Sequence, residues 1–297
     1  MTDQEYLQAV LDEQTLAEDG QEIKDLDQHR KEVKSLLTAK FGPRPALREG
    51  GSKAKGTMVR EAYDLDLAYY FAHQDTSGGE TIEEIYENVE RVLQGQYHVQ
   101  RKGVAVRLFD PEGDIDFHVD VIPGRFINGD DGDAFLYPAT SDKERLQTNL
   151  ETHLDHVRES GVVDAIRLQK LWKARRGIGL KTFALELLVI DSLEGKQNLS
   201  LPKQLTHVWT GFRDNIENLT IEDPANSNND LSEMINYQMR GVLREQSRAT
   251  LQLIDANGWE AVFGQVDRAS VKAAKVEALR RIVTTSPSPA KPWSFGS

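Results

Sequence analysis

Apolar and polar side chains alternate along residues 64–71, which is the pattern of a strand with one buried face. Leu65 and Leu67 fall on the buried face. Asp64 and Asp66 fall together on the other, because side chains two positions apart in a strand share a face. An ordinary surface strand has no need of two such acids. The pattern therefore predicts a strand that is anchored in a core and displays a pair of carboxylates.

A turn of small residues precedes this strand. Residues 51–57 read Gly-Ser-Lys-Ala-Lys-Gly-Thr, and a turn of this kind can wrap a phosphate group with its backbone. Clustered carboxylates repel each other unless a proton or a cation lies between them. Mg²⁺ prefers such oxygen ligands and bridges them to substrate phosphates. Each feature alone is common, but their adjacency indicates nucleotide chemistry that depends on a metal.

A third carboxylate is expected, because phosphoryl transfer with two metal ions usually uses one more acidic ligand. Residues 114–122 alternate apolar Ile115, Phe117, Val119 and Val121 with polar Asp114, Asp116, His118 and Asp120. Periodicity does not separate Asp116 from Asp120, and Asp120 is preferred because it lies deepest in the apolar run, just ahead of a proline expected to end the strand. Asp114 and Asp116 fit an exposed strand start, and His118 fits a polar neighbour better than a ligand.

The remaining periodicity predicts an α/β (α+β) chain: a mixed-sheet lobe with a long N-terminal helix, followed by a helical lobe. The expected units are residues 1–140, residues 141–285 and a flexible C-terminal tail over 286–297. The N-terminal helix is expected over 4–40 with a break near Gly20. Further predicted segments are a capped helix over 81–94, strands near 103–109 and 114–122, a loop over 124–138, and helices over 141–159, 161–175, 181–192, 203–218, 230–256 and 267–283.

One helix of the second lobe is basic in an otherwise acidic chain. From Arg167 to Lys181 there are six basic residues and no acidic one. Lys170 and Lys173 share a helical face, while neighbouring apolar residues pack the helix down. A solvated basic face is the simpler interpretation for Lys173 and for the two arginines that follow it. For Lys170 the pattern alone leaves a solvated face and a phosphate contact both open.

These motifs resemble the nucleotidyltransferase superfamily related to DNA polymerase β: Gly51-Ser52, then Asp64-x-Asp66, then Asp120 in Val-Asp-Val-Ile-Pro. Within it, the chain is most similar to the bacterial cyclic-oligonucleotide synthases (CD-NTases), relatives of animal cyclic GMP-AMP synthase and 2′-5′ oligoadenylate synthase. Two later segments, 167–188 and 221–226, also resemble family elements. The resemblance thus covers roughly residues 40–240.

The resemblance implies a role for each matching residue. Two Mg²⁺ ions, which Mn²⁺ is able to replace, would be held by Asp64, Asp66 and Asp120. The donor triphosphate would be contacted by Gly51, Ser52, Lys170 and Thr182. Phe183 would stack on the donor base. The family often carries Ser and Tyr at the last two positions, and this chain keeps a hydroxyl and a ring there.

The resemblance also implies an activity: a cyclic di- or trinucleotide second messenger made from nucleoside triphosphates in anti-phage defence. One alternative is a terminal RNA nucleotidyltransferase of the CCA-adding or poly(A) type, which would need a basic RNA-binding surface. Another is a non-catalytic module with the same fold, against which the complete set of three carboxylates argues. Some family members are regulated through the C-terminal end, so the tail 286–297 is a candidate contact for a regulatory protein.

Composition limits the classes of partner and the location that the protein is expected to have. The chain has 36 basic and 48 acidic residues and a formal net charge of −12, which argues against a broad nucleic-acid surface and favours free nucleotides over long RNA or DNA. No run approaches the roughly 20 apolar residues needed to cross a bilayer. The acidic N-terminus does not resemble a signal peptide, and there is no cysteine. Together these features favour a cytoplasmic enzyme.

Overall fold

The computed structural model of the protein describes residues 1–109, 118–226, 229 and 231–266. Within these residues the fold is mixed α/β, as predicted, with one mixed sheet. The strands are β1 (Ala46–Glu49), β2 (Leu65–Phe71), β3 (His98–Lys102), β4 (Ala105–Phe109), β5 (Val119–Phe126), β6 (Asp133–Leu136) and β7 (Leu146–Asn149). The helices are α1 (Asp3–Glu13), α2 (Gln21–Phe41), α3 (Gly51–Lys55), α4 (Ile82–Leu93), α5 (Leu150–Arg158), α6 (Val163–Arg175), α7 (Thr182–Ser192), α8 (Leu201–Asn215), α9 (Tyr237–Asn257) and α10 (Glu260–Phe263).

The strands that carry the predicted carboxylates are neighbours in the sheet. The strand order is β1-β2-β5-β4-β3, with β6 paired to β5 and β7 paired to β6. β2 and β5 run parallel, and the other paired strands are antiparallel. Because β2 and β5 lie inside the sheet, each has a partner on both sides, and their register is fixed by hydrogen bonds from two directions.

One face of β2 belongs to a core between the sheet and two helices, here called the sheet core. Leu65, Leu67 and Phe71 are fully buried there, against Leu37 of α2 and Val89 of α4. Burying each such side chain contributes about 1.5–3 kcal/mol relative to leaving it exposed. The alternation in the sequence therefore positions the strand, and leaves the face of Asp66 directed away from this core.

The other helices form a second core, here called the helical core. It gathers side chains of α1 and α6–α10 around Trp172 and Trp209, whose ring centroids lie 5.7 Å apart. The predicted N-terminal helix is two helices, and the expected break is present, because α2 begins after Gly20. α1 packs into the helical core through residues such as Leu7 and Val10, whereas α2 packs on the sheet.

The capping box predicted for the helix over 81–94 is confirmed. The Thr81 hydroxyl accepts a hydrogen bond from the backbone N–H of Glu84, and the Glu84 carboxylate accepts one from the backbone N–H of Thr81. These bonds satisfy two backbone donors that have no partner inside the helix. They fix the start of α4, which covers the sheet core.

The expected end of a strand at Pro123 is wrong, because β5 continues to Phe126. β4 pairs with β5 only as far as Val121, and β6 begins its pairing at Gly124. Pro123 therefore lies between two partners on that edge, where a residue without an N–H costs no ladder hydrogen bond.

Two short strands were not anticipated in the segment that follows. β6 lies within residues predicted as a loop over 124–138, and β7 lies within the helix predicted over 141–159, which begins only at Leu150. β3 was also missed, and it pairs along its whole length with β4. Strands of four or five residues carry too little periodic pattern to be recognised without their partners.

Some predictions concern residues outside the described part of the chain: Asp114 and Asp116, the helix over 267–283 and the tail over 286–297. No helix in the described residues is long and apolar enough to cross a membrane.

Candidate active site

The register of β2 and β5 brings the predicted carboxylates together. Asp66 pairs with Asp120 directly across the two parallel strands, and Leu65 pairs with Val119 one position earlier. The ladder extends back to the preceding pair, because the N–H of Leu65 donates to the carbonyl of His118. Side chains two apart share a face, so Asp64 and Asp66 on one strand stand beside His118 and Asp120 on the other.

The segment predicted as a turn before β2 contains the short helix α3 (Gly51–Lys55), and the start of this helix lies directly against the array. The N–H of Gly50 donates to the carbonyl of Asp66 at 2.9 Å. Gly51 has φ of +55°, and a Cβ built on it would lie 1.6 Å from Oδ2 of Asp66, so only glycine fits here. The hydroxyl of the buried Ser52 has no hydrogen-bond partner among the described residues. Glycine thus lets the turn approach the carboxylate closely, and the Ser52 hydroxyl is left to bind a ligand.

The carboxylates differ in their electrostatics. Burial, together with the neighbouring charges of Asp64 and Asp120, raises the pKa of Asp66 to about 8. Burial also acts to raise the pKa of Asp64, but the charges of His118, Lys170 and Arg107 together outweigh it and hold that pKa below its usual value. A buried acid beside two other carboxylates is pushed towards its neutral form, and a bound cation would favour its ionised form instead.

Asp120 is paired with an arginine that the sequence reasoning did not identify. Nε and Nη2 of Arg107 on β4 donate to the two carboxylate oxygens of Asp120 at 2.7 and 2.6 Å. The two residues face each other in the β4–β5 register, and Asp120 is buried with 8 % of its surface exposed. Two parallel charge-assisted bonds fix the plane of this carboxylate.

A buried polar network joins the turn to the helical core. Glu186 on α7 accepts from Nζ of Lys55 at 2.7 Å and from the hydroxyl of Thr57 at 2.9 Å. Nζ of Lys170 on α6 donates to the carbonyl of Thr57 at 2.8 Å. All four side chains are buried, so each polar group depends on its partner. The network holds residues 51–57 against helices α6 and α7.

Lys170, which the resemblance gives as a phosphate contact, lines the same cavity as Asp64 and Asp66. Burial lowers the pKa of Lys170, and the charges of Glu186 and Asp64 oppose this decrease. Lys173 was expected in solvent, and this is wrong: its Nζ donates to the hydroxyl of Thr182 at 3.2 Å, and it lines the same cavity. The two lysines lie one helical turn apart, so both reach the face that looks toward the carboxylates.

Phe183 contacts two polar side chains of the cavity. Nζ of Lys55 is 4.8 Å from the centre of its ring on one side, and the ring of His153 has its centre 4.8 Å away. His153 is held in turn by Asp223, whose carboxylate lies 2.6 Å from Nε2. Phe183, which was predicted to stack on a base, therefore contacts two side chains that are held in place by carboxylates, His153 by Asp223 and Lys55 by Glu186.

Most of these groups line one cavity of about 620 Å³. Seven of the eight predicted site residues line it: Gly51, Ser52, Asp64, Asp66, Lys170, Thr182 and Phe183. Asp120 lies behind the wall, bound to Arg107. The cavity continues past the carboxylates along an apolar wall that includes Tyr70, Ile122 and Leu136. A volume of this size, with charged groups at one end, is typical of a small-molecule site.

Of the residues that the sequence reasoning missed, Glu186 had the clearest signal. It is an isolated acid within the apolar run of α7, and a buried carboxylate needs a partner. Lys55 belongs to the segment 51–57 that was already identified, so an ion pair between Lys55 and Glu186 could have been predicted. Arg107 and His153 carry no comparable signal, because their partners are set by strand order and helix packing.

Neither a protein-family model nor a curated protein matches the sequence. Solved structures do share its fold. CdnC of E. coli MS115-1, solved with ATP, has a TM-score of 0.68 at 17% identity, over 89% of this chain and 98% of that one. The CD-NTase CdnG of Bradyrhizobium diazoefficiens, in complex with GTP, has a TM-score of 0.66 at 13% identity, over 94% and 99%.

A third structure of this kind is the CdnE cyclic dinucleotide synthase of Elizabethkingia meningoseptica with GTP and Apcpp. Its TM-score is 0.61 at 17% identity, over 87% of this chain and 100% of that one. The chain therefore has the nucleotidyltransferase fold of the CD-NTases, which confirms the fold class and the resemblance expected from the sequence.

The raised pKa of Asp66 predicts a stability effect that depends on pH. An unfolded aspartate has a pKa of about 3.9, so between roughly pH 4 and pH 8 the folded state holds a proton that the unfolded state has lost, and stability falls as pH rises. In metal-free buffer, Asp66→Asn should raise the melting temperature by about 5 °C at pH 8 and by close to zero at pH 4. Differential scanning calorimetry across this range measures the difference.

Asp64→Asn is the matched control, since the pKa of Asp64 is lowered and its ionised form stabilises the fold. That contribution is present above the unfolded pKa and is lost as pH falls through the folded one, so the variant should melt below wild type at neutral pH. Shifts of the same sign for both variants would contradict this electrostatic account.

The Lys55–Glu186 pair gives a second prediction. Glu186→Gln leaves a buried ammonium without its counter-charge, and should cost about 3 kcal/mol of unfolding free energy. Adding Lys55→Met should recover part of that loss, which a double-mutant cycle in urea measures. Arg248→Met, which removes an exposed pair with Glu245, is the control and should leave stability unchanged. Additive losses for Lys55 and Glu186 would show that the pair does not join the two cores.

Proposed function

We propose that the protein is a Mg²⁺-dependent nucleotidyltransferase that joins nucleoside triphosphates into a cyclic di- or trinucleotide and releases pyrophosphate. The observation that carries this proposal is the pairing of Asp66 with Asp120 beside Asp64, at the wall of a cavity that Gly51 and Lys170 also line. The proposal divides the chain into a catalytic lobe (1–140) and a helical lobe (141–285) that close around the nucleotide.

The residues present fit divalent ions. One ligand atom each of Asp64, His118 and Asp120 lies within 4.8 Å of the others, and Asp66 pairs with Asp120 across the two strands. Asp64, Asp66 and Asp120 would hold two Mg²⁺ ions, or Mn²⁺ in their place. Bound there, the metal would neutralise the phosphates and polarise the phosphorus that is attacked. Arg107 fixes the plane of Asp120, which keeps its oxygens directed for this task.

The other residues bind and orient the nucleotide. The unpaired hydroxyl of Ser52 and the backbone of Gly51 would contact the triphosphate. Lys170 and the Lys173–Thr182 pair supply positive charge and a hydroxyl from the opposite side of the cavity. Phe183 offers a ring on which a base can stack. Gripping the triphosphate from two sides places its reacting phosphorus close to the carboxylates, which is how a phosphoryl-transfer site gains most of its rate.

The structural neighbours support the chemistry and suggest the setting. CdnC was solved with ATP and CdnG with GTP, and CdnE is a cyclic dinucleotide synthase. Free nucleoside triphosphates, rather than long nucleic acid, suit a chain of net charge −12 with a local basic group in its cavity. We place the enzyme in the cytoplasm, where these substrates are abundant, with an anti-phage second messenger as its product.

Incubation with the four labelled triphosphates and Mg²⁺ or Mn²⁺, followed by phosphatase treatment and mass spectrometry, tests the proposal. A phosphatase-resistant cyclic product is expected from wild type. Asp64→Asn and Asp66→Asn should each reduce its rate by at least about 10³-fold, because an amide is a poor metal ligand. Asp142→Asn, which changes an exposed acid outside the cavity, is the matched control and should keep full activity.

Two results would contradict the proposal. One is a wild-type product that both cavity variants also make at full rate. The other is salt-sensitive extension of an added RNA with no cyclic product, which would indicate a terminal nucleotidyltransferase.

A further inference from the structure

His118 is a polar side chain of the site that has no role in the proposed reaction. It lies at the start of β5, one position before Val119, on the face that carries Asp120. Its Nε2 atom is buried and makes no hydrogen bond to any described residue. Oδ2 of Asp64 is 3.5 Å away, which is an ion-pair separation rather than a well-formed hydrogen bond. A buried ring nitrogen that makes no hydrogen bond costs free energy, so this atom needs an explanation.

The sheet register places His118 beside carboxylates with which it could share a metal ion. Asp66 stands beside Asp120, and Asp64 stands beside His118, so the four side chains form two rows on one face of two parallel strands. One ligand atom each of Asp64, His118 and Asp120 lies within 4.8 Å of the others. Three donors at such separations can all contact one ion.

The two rows differ in what neutralises them. In the Asp66–Asp120 row, β4 contributes the guanidinium of Arg107, which already binds both oxygens of Asp120. The corresponding position of β4 beside His118 is apolar: the ring of Phe109 has its centre 6.4 Å from that of His118. Among the described residues, the Asp64–His118 row has no arginine or lysine in an ion pair with it. A cation is therefore best accommodated on this side.

We propose that Nε2 of His118 is a metal ligand, which together with Asp64 and Asp120 makes a mixed nitrogen–oxygen site. An imidazole nitrogen is a softer donor than a carboxylate, and Mg²⁺ strongly prefers oxygen, whereas transition-metal ions accept nitrogen readily. The site therefore favours Mn²⁺ over Mg²⁺ more than three carboxylates alone would. This inference rests on the proposed function in that the same acids bind the metal, and it specifies which metal they select.

Pulsed electron paramagnetic resonance of bound Mn²⁺ tests the ligand directly. Wild type should show modulation from a directly coordinated ¹⁴N nucleus, and this should change to the ¹⁵N pattern when the protein is made with ¹⁵N-labelled histidine. The isotope replacement needs no variant, so it holds even if a substitution impairs folding. His118→Gln should lose the nitrogen signal, while His207→Gln, an exposed histidine on α8, should retain it.

Competition between the two ions gives a second readout. His118→Gln should weaken Mn²⁺ binding by at least about tenfold and change Mg²⁺ binding by less than about twofold. Equal losses for both ions would mean that His118 only supports the fold of the site, and would overturn the proposal. So would an absent nitrogen signal in wild type, or one that persists in His118→Gln.

Asp64→Asn separates this inference from the proposed function. If that variant loses Mn²⁺ but wild type shows no histidine coupling, the carboxylate site stands and the role of His118 fails. If Asp64→Asn binds Mn²⁺ as tightly as wild type, the metal assignment underlying the proposed function fails, and the assignment of His118 fails with it.

Discussion

The structure depends on one buried ion pair, between Lys55 at the end of α3 and Glu186 of α7, the helix that packs in the helical core. Glu186 also accepts from Thr57, whose carbonyl in turn accepts from Lys170. Because these groups are out of water, each must keep its partner, and together they set how closely the turn approaches the helices. Thr182 and Phe183 lie on the same helix as Glu186, one turn before it, so the same contact positions the residues that face the carboxylates.

The second constraint is the register of two parallel strands. Pairing of Asp66 with Asp120 is fixed by the backbone ladder and by the apolar face that β2 buries, so a slip of one residue would turn all the acids into the core. The register concentrates negative charge, which the raised pKa of Asp66 records, and Arg107 compensates part of it. Sheet and helices thus contribute opposite charges to one cavity.

Much of this site could be predicted from sequence because the positions of its residues follow from local sequence patterns. Alternation identified β2 and the polar face of Asp64 and Asp66, and a capping box identified α4. What local patterns cannot carry is pairing between distant segments: Arg107 meets Asp120 only because β4 lies next to β5. Lys173 was misjudged for the same reason, since its burial depends on where Thr182 is placed. His118 was set aside as a polar neighbour, and only the register showed that it stands beside Asp64.

The central claim is that a nucleotide binds in the cavity between the two cores and contacts both. Hydrogen–deuterium exchange, with and without a non-hydrolysable ATP analogue and Mg²⁺, measures this most directly. The account predicts simultaneous protection of backbone amides in residues 50–57 and 182–186, and no protection in Asp66→Asn. Protection confined to one of these segments, or located at another surface, would contradict it.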